Sequence, residues 1–409
     1  MSKKLKSKIV PAMASAWAGL AAIFAAISAT AEEPDTVLSR SRQVEVGKSG
    51  PWGVLEYYKI PLTVPDSLIR LHKVPSQQIE WRIPARSVVE LRQFLLEKGL
   101  LAEEIDAALE GATMMKDGEG SRFFPAPDAL YDLDPDARAR LYRILAKIPG
   151  NPFHARPVYL HTSNLSEWFE GSGVPKAAIL DVSQLAYPTP TGRGFFFADL
   201  PFTLRNAMST ADERTILSGM LRRPGLIVRL RLAPDSPIDE MREYWSAGFR
   251  NLAVRPLLES AVVGIGSGFL DIAHLLPPTA REDLNQFPGP ADGARGRYPD
   301  WFWTCYNFFL FETRDVYADS PERDSLILEE FERAAPPLQF GDMLLLGSGN
   351  RIVHGCVHLA DDIVFTKNGA DIFSPWLLMK LDDVIAYHDL EGDLSIAIYR
   401  KRESDSTPR

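Results

Sequence analysis

Two segments of the chain hold residue types that could do chemistry. "DWFWTCYNFFLF", Asp300 to Phe311, carries Cys305, and "RIVHGCVHLADD", Arg351 to Asp362, carries His354, Cys356 and His358 about fifty positions later. A thiol on a helix and an imidazole on a later strand are the parts of a nucleophilic thiol site. The imidazole takes the thiol proton, the helix N-terminus lowers the thiol pKa, and a third polar group orients the imidazole. Alternation along the strand puts His354, Cys356 and His358 on one face, with neighbours about 6–7 Å apart. Two other readings stay open. Cys305 and Cys356 are the two cysteines of the chain, and an exported protein could join them, which would leave Cys305 no thiolate. Cys305 could also be a small buried apolar residue, as free cysteines commonly are. The "HGCVH" face has its histidines too far apart to share one ion without a bend, so no metal or cofactor is expected. His72, His154, His161, His274 and His388 are dispersed and read as structural.

The elements that must position these groups follow from pattern. Asp300, after Pro299, is the expected N-cap of a helix running to about Glu312. A second helix is expected at "DSLILEEFERAA". "FGDMLLLGSGNRIVHGCVHLADDIVFTKNG" then reads as three short strands broken by Gly and Asp/Asn turns, with Asp361-Asp362 as one turn, and "LSIAIYRKR" reads as a last strand. A helix followed by an antiparallel meander is an α+β arrangement.

This arrangement resembles the NlpC/P60 superfamily of papain-like cysteine hydrolases over roughly Tyr298 to Arg400. The resemblance rests on Gly341-Asp342 opening one strand, on His354 in the next, and on "HLADD" after it. It implies an exported hydrolase that cleaves an amide, as in peptidoglycan, with Cys305 as nucleophile and His354 as base. The family's third polar residue falls on Thr366, and Asn368, two residues on and on the same face, is the better chemical substitute. The implied partner is a cell-wall peptide or a protein. One departure is visible. The family's cysteine opens its helix, on the unsatisfied N–H groups, whereas the residue after Asp300 here is Trp301, and Cys305 lies one turn deeper, about 6 Å along the axis. Either the helix starts later than Asp300, or the nucleophile position holds Trp301 and the protein is an inactive binding or scaffolding relative.

The rest of the chain is less specific. Residues 52–290 read as a mainly α-helical region, with a break near 157 and a Pro/Gly-rich boundary before an NlpC/P60-like region at 291–409. Helices are expected at "ARSVVELRQFLLEKGLL", "AEEIDAALEGA", "LDPDARARLYRILAKIPGNP" with Asp134 as N-cap, "LSEWFEG", "KAAILDVSQLAY", "TADERTILSGMLRR" and "SPIDEMREYWSAG". Strands are expected at "VLEYYKIPLTVP" and "GLIVRLRL". "VVGIGSGF" lacks the βαβ setting of a dinucleotide fingerprint and reads as a loop or helix end. A net charge of −9, from 54 acidic and 45 basic residues spread along the chain, offers no basic face for nucleic acid. The N-terminus has a positive "KKLKSK", an apolar zone and "ATA" at Ala29 to Ala31, the three zones of a signal peptide spanning residues 1–31. An uncleaved membrane anchor is the alternative, because the apolar zone Ile9 to Ala31 approaches the roughly 20 residues that span a bilayer. A polar linker at 32–51 follows. The expected location is periplasmic or secreted, without a stable membrane span once that segment is removed.

Overall fold

The strand Val54–Leu62 pairs antiparallel with Arg223–Leu232 along its whole length, from Val54 opposite Arg231 to Leu62 opposite Arg223. These two strands close a loop of the chain with a core of its own. Residues 64–220 bury Trp81, Leu91, Ile105, Phe123, Leu141, Leu160, Val182, Phe197, Ile216 and Met220 together. Residues 45–62 and 223–402 supply a second core, in which Leu55, Val228 and Trp245 pack with Phe302, Tyr306, Leu345 and Phe365, and a smaller third one around Leu344, Cys356 and Val384. The computed structural model describes residues 44–71, 78–118, 120–293, 296–389 and 393–402, and Glu45–Arg409 forms one compact unit. The expected signal peptide and most of the expected linker lie outside the described residues. The end of that linker is ordered: Glu45–Val46 pairs with Glu56 and Tyr57, and Lys48 N donates to Asp361 Oδ2 at 2.7 Å.

The fold is α+β, and the region expected to be mainly helical is itself mixed. Besides the expected helices, among them Val88–Glu97, Pro135–Leu145 and Thr210–Met220, it contains two three-stranded sheets. One joins Trp81–Ile83, Gly120–Phe124 and Thr113–Asp117, and the other joins Val158–Leu160, Phe195–Phe197 and Tyr187–Pro188. These strands have two to five residues, too short for alternation to stand out from helical spacing. The boundary expected near 290 and the break expected near 157 also give way. The second core runs across 290, and the first runs across 157.

Local chemistry bears out several expectations. Asp134 caps its helix by accepting from Asp136 N and Ala137 N, with Pro135 in the first turn. The helix Val254–Ile265 ends on Gly266 at φ 67°, so "VVGIGSGF" is a helix end. The turn at Asp361-Asp362 has Asp361 at φ 53°, a left-handed conformation that Asp tolerates.

A six-stranded antiparallel sheet dominates the second half, in the order Phe331–Arg333, Ser395–Lys401, Met343–Ser348, Arg351–Ala360, Ile363–Lys367, Trp376–Lys380. Its two faces are packed differently. Met343, Leu345, Val357 and Phe365 meet the helix Trp301–Asn307, while Leu344, Leu346, Cys356, Val364, Leu377 and Met379 meet Val384 of the helix Leu381–His388.

Candidate functional site

The helix Trp301–Asn307 starts where the sequence places it. Asp300 Oδ1 accepts from Trp303 N at 2.9 Å, and burial raises the Asp300 pKa. It ends earlier than expected, at Asn307 rather than near Glu312. The buried Asn307 amide donates to Trp303 O and Arg314 O and accepts from Arg314 N, so its side chain ties the end of the helix to the turn that follows it. Cys305 is therefore well inside the helix, one turn past Trp301, and 4% exposed in the core between helix and sheet. Burial lifts its thiol pKa well above the ordinary value, so the group is a neutral thiol at physiological pH. Cys356 is also a free buried thiol with a raised pKa. It belongs to the core on the other face of the sheet, and the two cysteines are not joined.

His354 sits on the face away from Cys305. The strand Arg351–Ala360 alternates, and a Cβ built on Gly355 would meet the Trp301 ring at 2.6 Å, which fixes Gly355 as facing the Trp301–Asn307 helix. Its neighbours His354 and Cys356 thus point the other way. There His354 Nε2 contacts Thr366 Oγ1 at 2.8 Å, and Thr366 donates its hydroxyl proton to Asn368 Oδ1 at 3.1 Å. A hydroxyl has one proton to give, so His354 must donate from Nε2, and the neutral imidazole keeps its lone pair on Nδ1. Thr366, expected to be the weaker orienter, is the one that touches the ring; Asn368 stands behind it. Both are buried.

Two aromatic groups complete the surroundings. His388, at the end of the helix Leu381–His388, stacks on His354 with ring centroids 3.8 Å apart and planes 15° apart. Trp301 reaches His354 from the helix side, with centroids 6.4 Å apart. Burial drives the His354 pKa well below its ordinary value and that of His388 to about 3, so the pair is neutral and attracts no anion by charge. His358 is a buried tie: its ring nitrogens lie 3.1 Å from Gln339 O and Asp361 O. Gly341 N donates to His358 O, and the Asp342 carboxylate holds Arg400 at 2.7–2.8 Å. The Gly-Asp pair of the sequence thus anchors the strand that carries His354.

Trp301, His354 and His388 line a cleft of about 350 Å³ with Tyr298 and Tyr317, and Arg297 pairs with Asp319 in its wall at 2.5 Å. Cys305 does not line it. Of the four expected site residues, the structure brings His354, Thr366 and Asn368 together and leaves Cys305 out. Sequence reasoning missed His388. The signal was present, since Leu381, Val384, Ile385 and His388 follow helical spacing. Among the described residues no cluster of His, Cys, Asp or Glu could hold a metal ion, and no helix is long and apolar enough to cross a membrane. No family model, curated protein or solved structure matches the chain.

Proposed function

We propose that the region from about Tyr298 onward is an NlpC/P60-like, papain-type fold that has lost its nucleophile, and that the protein is a non-catalytic binding protein of the cell envelope. The observation that carries this reading is the separation of Cys305 from His354. The thiol is buried and protonated on one face of the sheet, the imidazole hydrogen-bonds on the other, and Trp301 stands at the helix start nearest the imidazole. A thiol cleavage needs a thiolate within hydrogen-bond reach of its base, and a 1 Å misplacement can cost about a hundredfold in rate. What remains is an aromatic cleft with an ordered His–Thr–Asn chain, suited to holding a ligand by stacking and hydrogen bonds. The three-zone N-terminus supports export, and the resemblance supports a cell-wall peptide, or a protein, as the ligand.

The test is co-sedimentation of the full chain with purified peptidoglycan sacculi. Binding without release of soluble fragments is expected, weakened several-fold by Tyr317→Ala in the cleft wall. Failure to sediment would remove the wall as ligand. Fragment release abolished by Cys305→Ser would overturn the non-catalytic reading.

A further inference from the structure

The region enclosed by the strands Val54–Leu62 and Arg223–Leu232 has a cavity of its own, about 470 Å³, remote in sequence from the cleft above. In its wall is Asp199, 1% exposed. Among the described residues the Asp199 carboxyl has one hydrogen-bond donor, the Tyr142 hydroxyl, which lies 2.9 and 3.1 Å from its two oxygens. The other charges of the wall are already matched. Arg122 forks onto Glu80 at 2.6 and 2.8 Å, and Arg82 lies between Glu80 and Asp117. Arg138, the nearby buried cation, gives its guanidinium to the carbonyls of Leu130, Leu133 and Gln184 rather than to Asp199. His154, buried in the same wall with its ring 4.6 Å from that of Tyr142, has an Nε2 with no hydrogen-bond partner. The rest of the lining is mixed, with Ile79, Phe153 and Pro201 apolar and Gln78 and Asn151 polar.

We propose that this cavity binds a primary ammonium group carried on a short apolar stem, with the Asp199 carboxylate as its counter-ion. A buried carboxylate takes either several donors or a cation, and Asp199 has one donor and no cation in contact. Ile79, Phe153 and Pro201 offer apolar contact to an alkyl stem, and the cavity's volume lies within the range of small-ligand sites. Burial raises the Asp199 pKa to about 7, and an ammonium group in contact would lower it. The site gives the enclosed region a ligand of its own, independent of whether the cleft at His354 binds or cleaves.

The experiment compares n-pentylamine with n-pentanol, of equal length and without charge, on the full chain at pH 8 by saturation-transfer NMR. The amine is expected to bind at least tenfold more tightly than the alcohol. Asp199→Asn, which keeps the shape and can still accept from Tyr142, is expected to reduce the amine to the level of the alcohol. Asp239→Asn, which removes an exposed carboxylate that does not line the cavity, is expected to leave the preference within twofold. Equal binding of amine and alcohol, or an amine preference that survives Asp199→Asn, would overturn the proposal. A crystal of the wild-type protein soaked in n-pentylamine places the probe without any variant; density at Asp199 is expected, and density only elsewhere would contradict the site.

Discussion

At the residue scale the candidate site is governed by which side of one strand each side chain takes. Gly355 is glycine because Trp301 occupies the space a Cβ would need, 2.6 Å away. Gly355→Ala should therefore lower stability by about 1–3 kcal/mol, read as a shift in the urea midpoint, because neither a strand backbone nor an indole in a packed core yields cheaply. The stacked histidines set a pH dependence. A histidine whose folded pKa is depressed below its unfolded value near 6.5 contributes stability that is present above that value and lost as pH falls toward the folded pKa. For His388 the loss begins near pH 6.5 and continues toward its folded value of about 3. His388→Phe keeps an aromatic against His354 and removes the titration. Between pH 7 and pH 5 the variant should lose about 2 kcal/mol less stability than the wild type, measured by chemical denaturation at each pH. The sequence showed Cys305, His354, Thr366 and Asn368 as chemical types, but not that the first would face away from the others. That depends on the phase of a strand relative to a helix some fifty residues earlier, which no local pattern encodes.

At the element scale the short helix Trp301–Asn307 decides what reaches the cleft. Its start was legible, because Pro299-Asp300 is a local capping signal. Its end was not, because the apolar run continues to Phe311 while the stop comes from the Asn307 side chain, which bonds Arg314 across a turn. Asn307→Ala should cost about 1–3 kcal/mol, since it leaves buried backbone groups without partners, and far-UV circular dichroism should show the other helices retained. The strand Trp376–Lys380 and the helix that follows it escaped the reading of the sequence for a related reason. "WLLM" is a short apolar run, and such runs suit a strand or a buried helix equally. The hairpin Thr113–Asp117 to Gly120–Phe124 carries a local signal of its own. With Asp117 paired to Gly120, Gly118 takes the first loop position at φ 61°, where a two-residue hairpin favours glycine.

At the scale of the whole molecule, Glu45–Arg409 is one α+β unit with a large excursion. The Pro/Gly-rich stretch before Asp300 looked like a domain boundary by composition, yet the core runs through it. The change from one core to the other falls between Leu62 and Arg223, a pair of strand residues that face each other, and composition does not change there. Replacing residues 63–222 by an Asn-Gly turn should therefore close a two-residue hairpin. It should leave the second core folded, with a cooperative thermal transition and near-UV circular dichroism from Trp245 and Trp303 preserved. A non-cooperative melt would show that the two cores fold only together.

The central claim is that Cys305 is a buried, protonated thiol and not a nucleophile. Alkylation by iodoacetamide at pH 7.5, with the modified peptide mapped by mass spectrometry in reduced protein, tests it most directly. The account predicts that Cys305 in the folded protein is modified only as fast as the chain unfolds, and fully once denaturant is added. Rapid stoichiometric modification of Cys305 in the folded protein, slowed by His354→Ala, would contradict it.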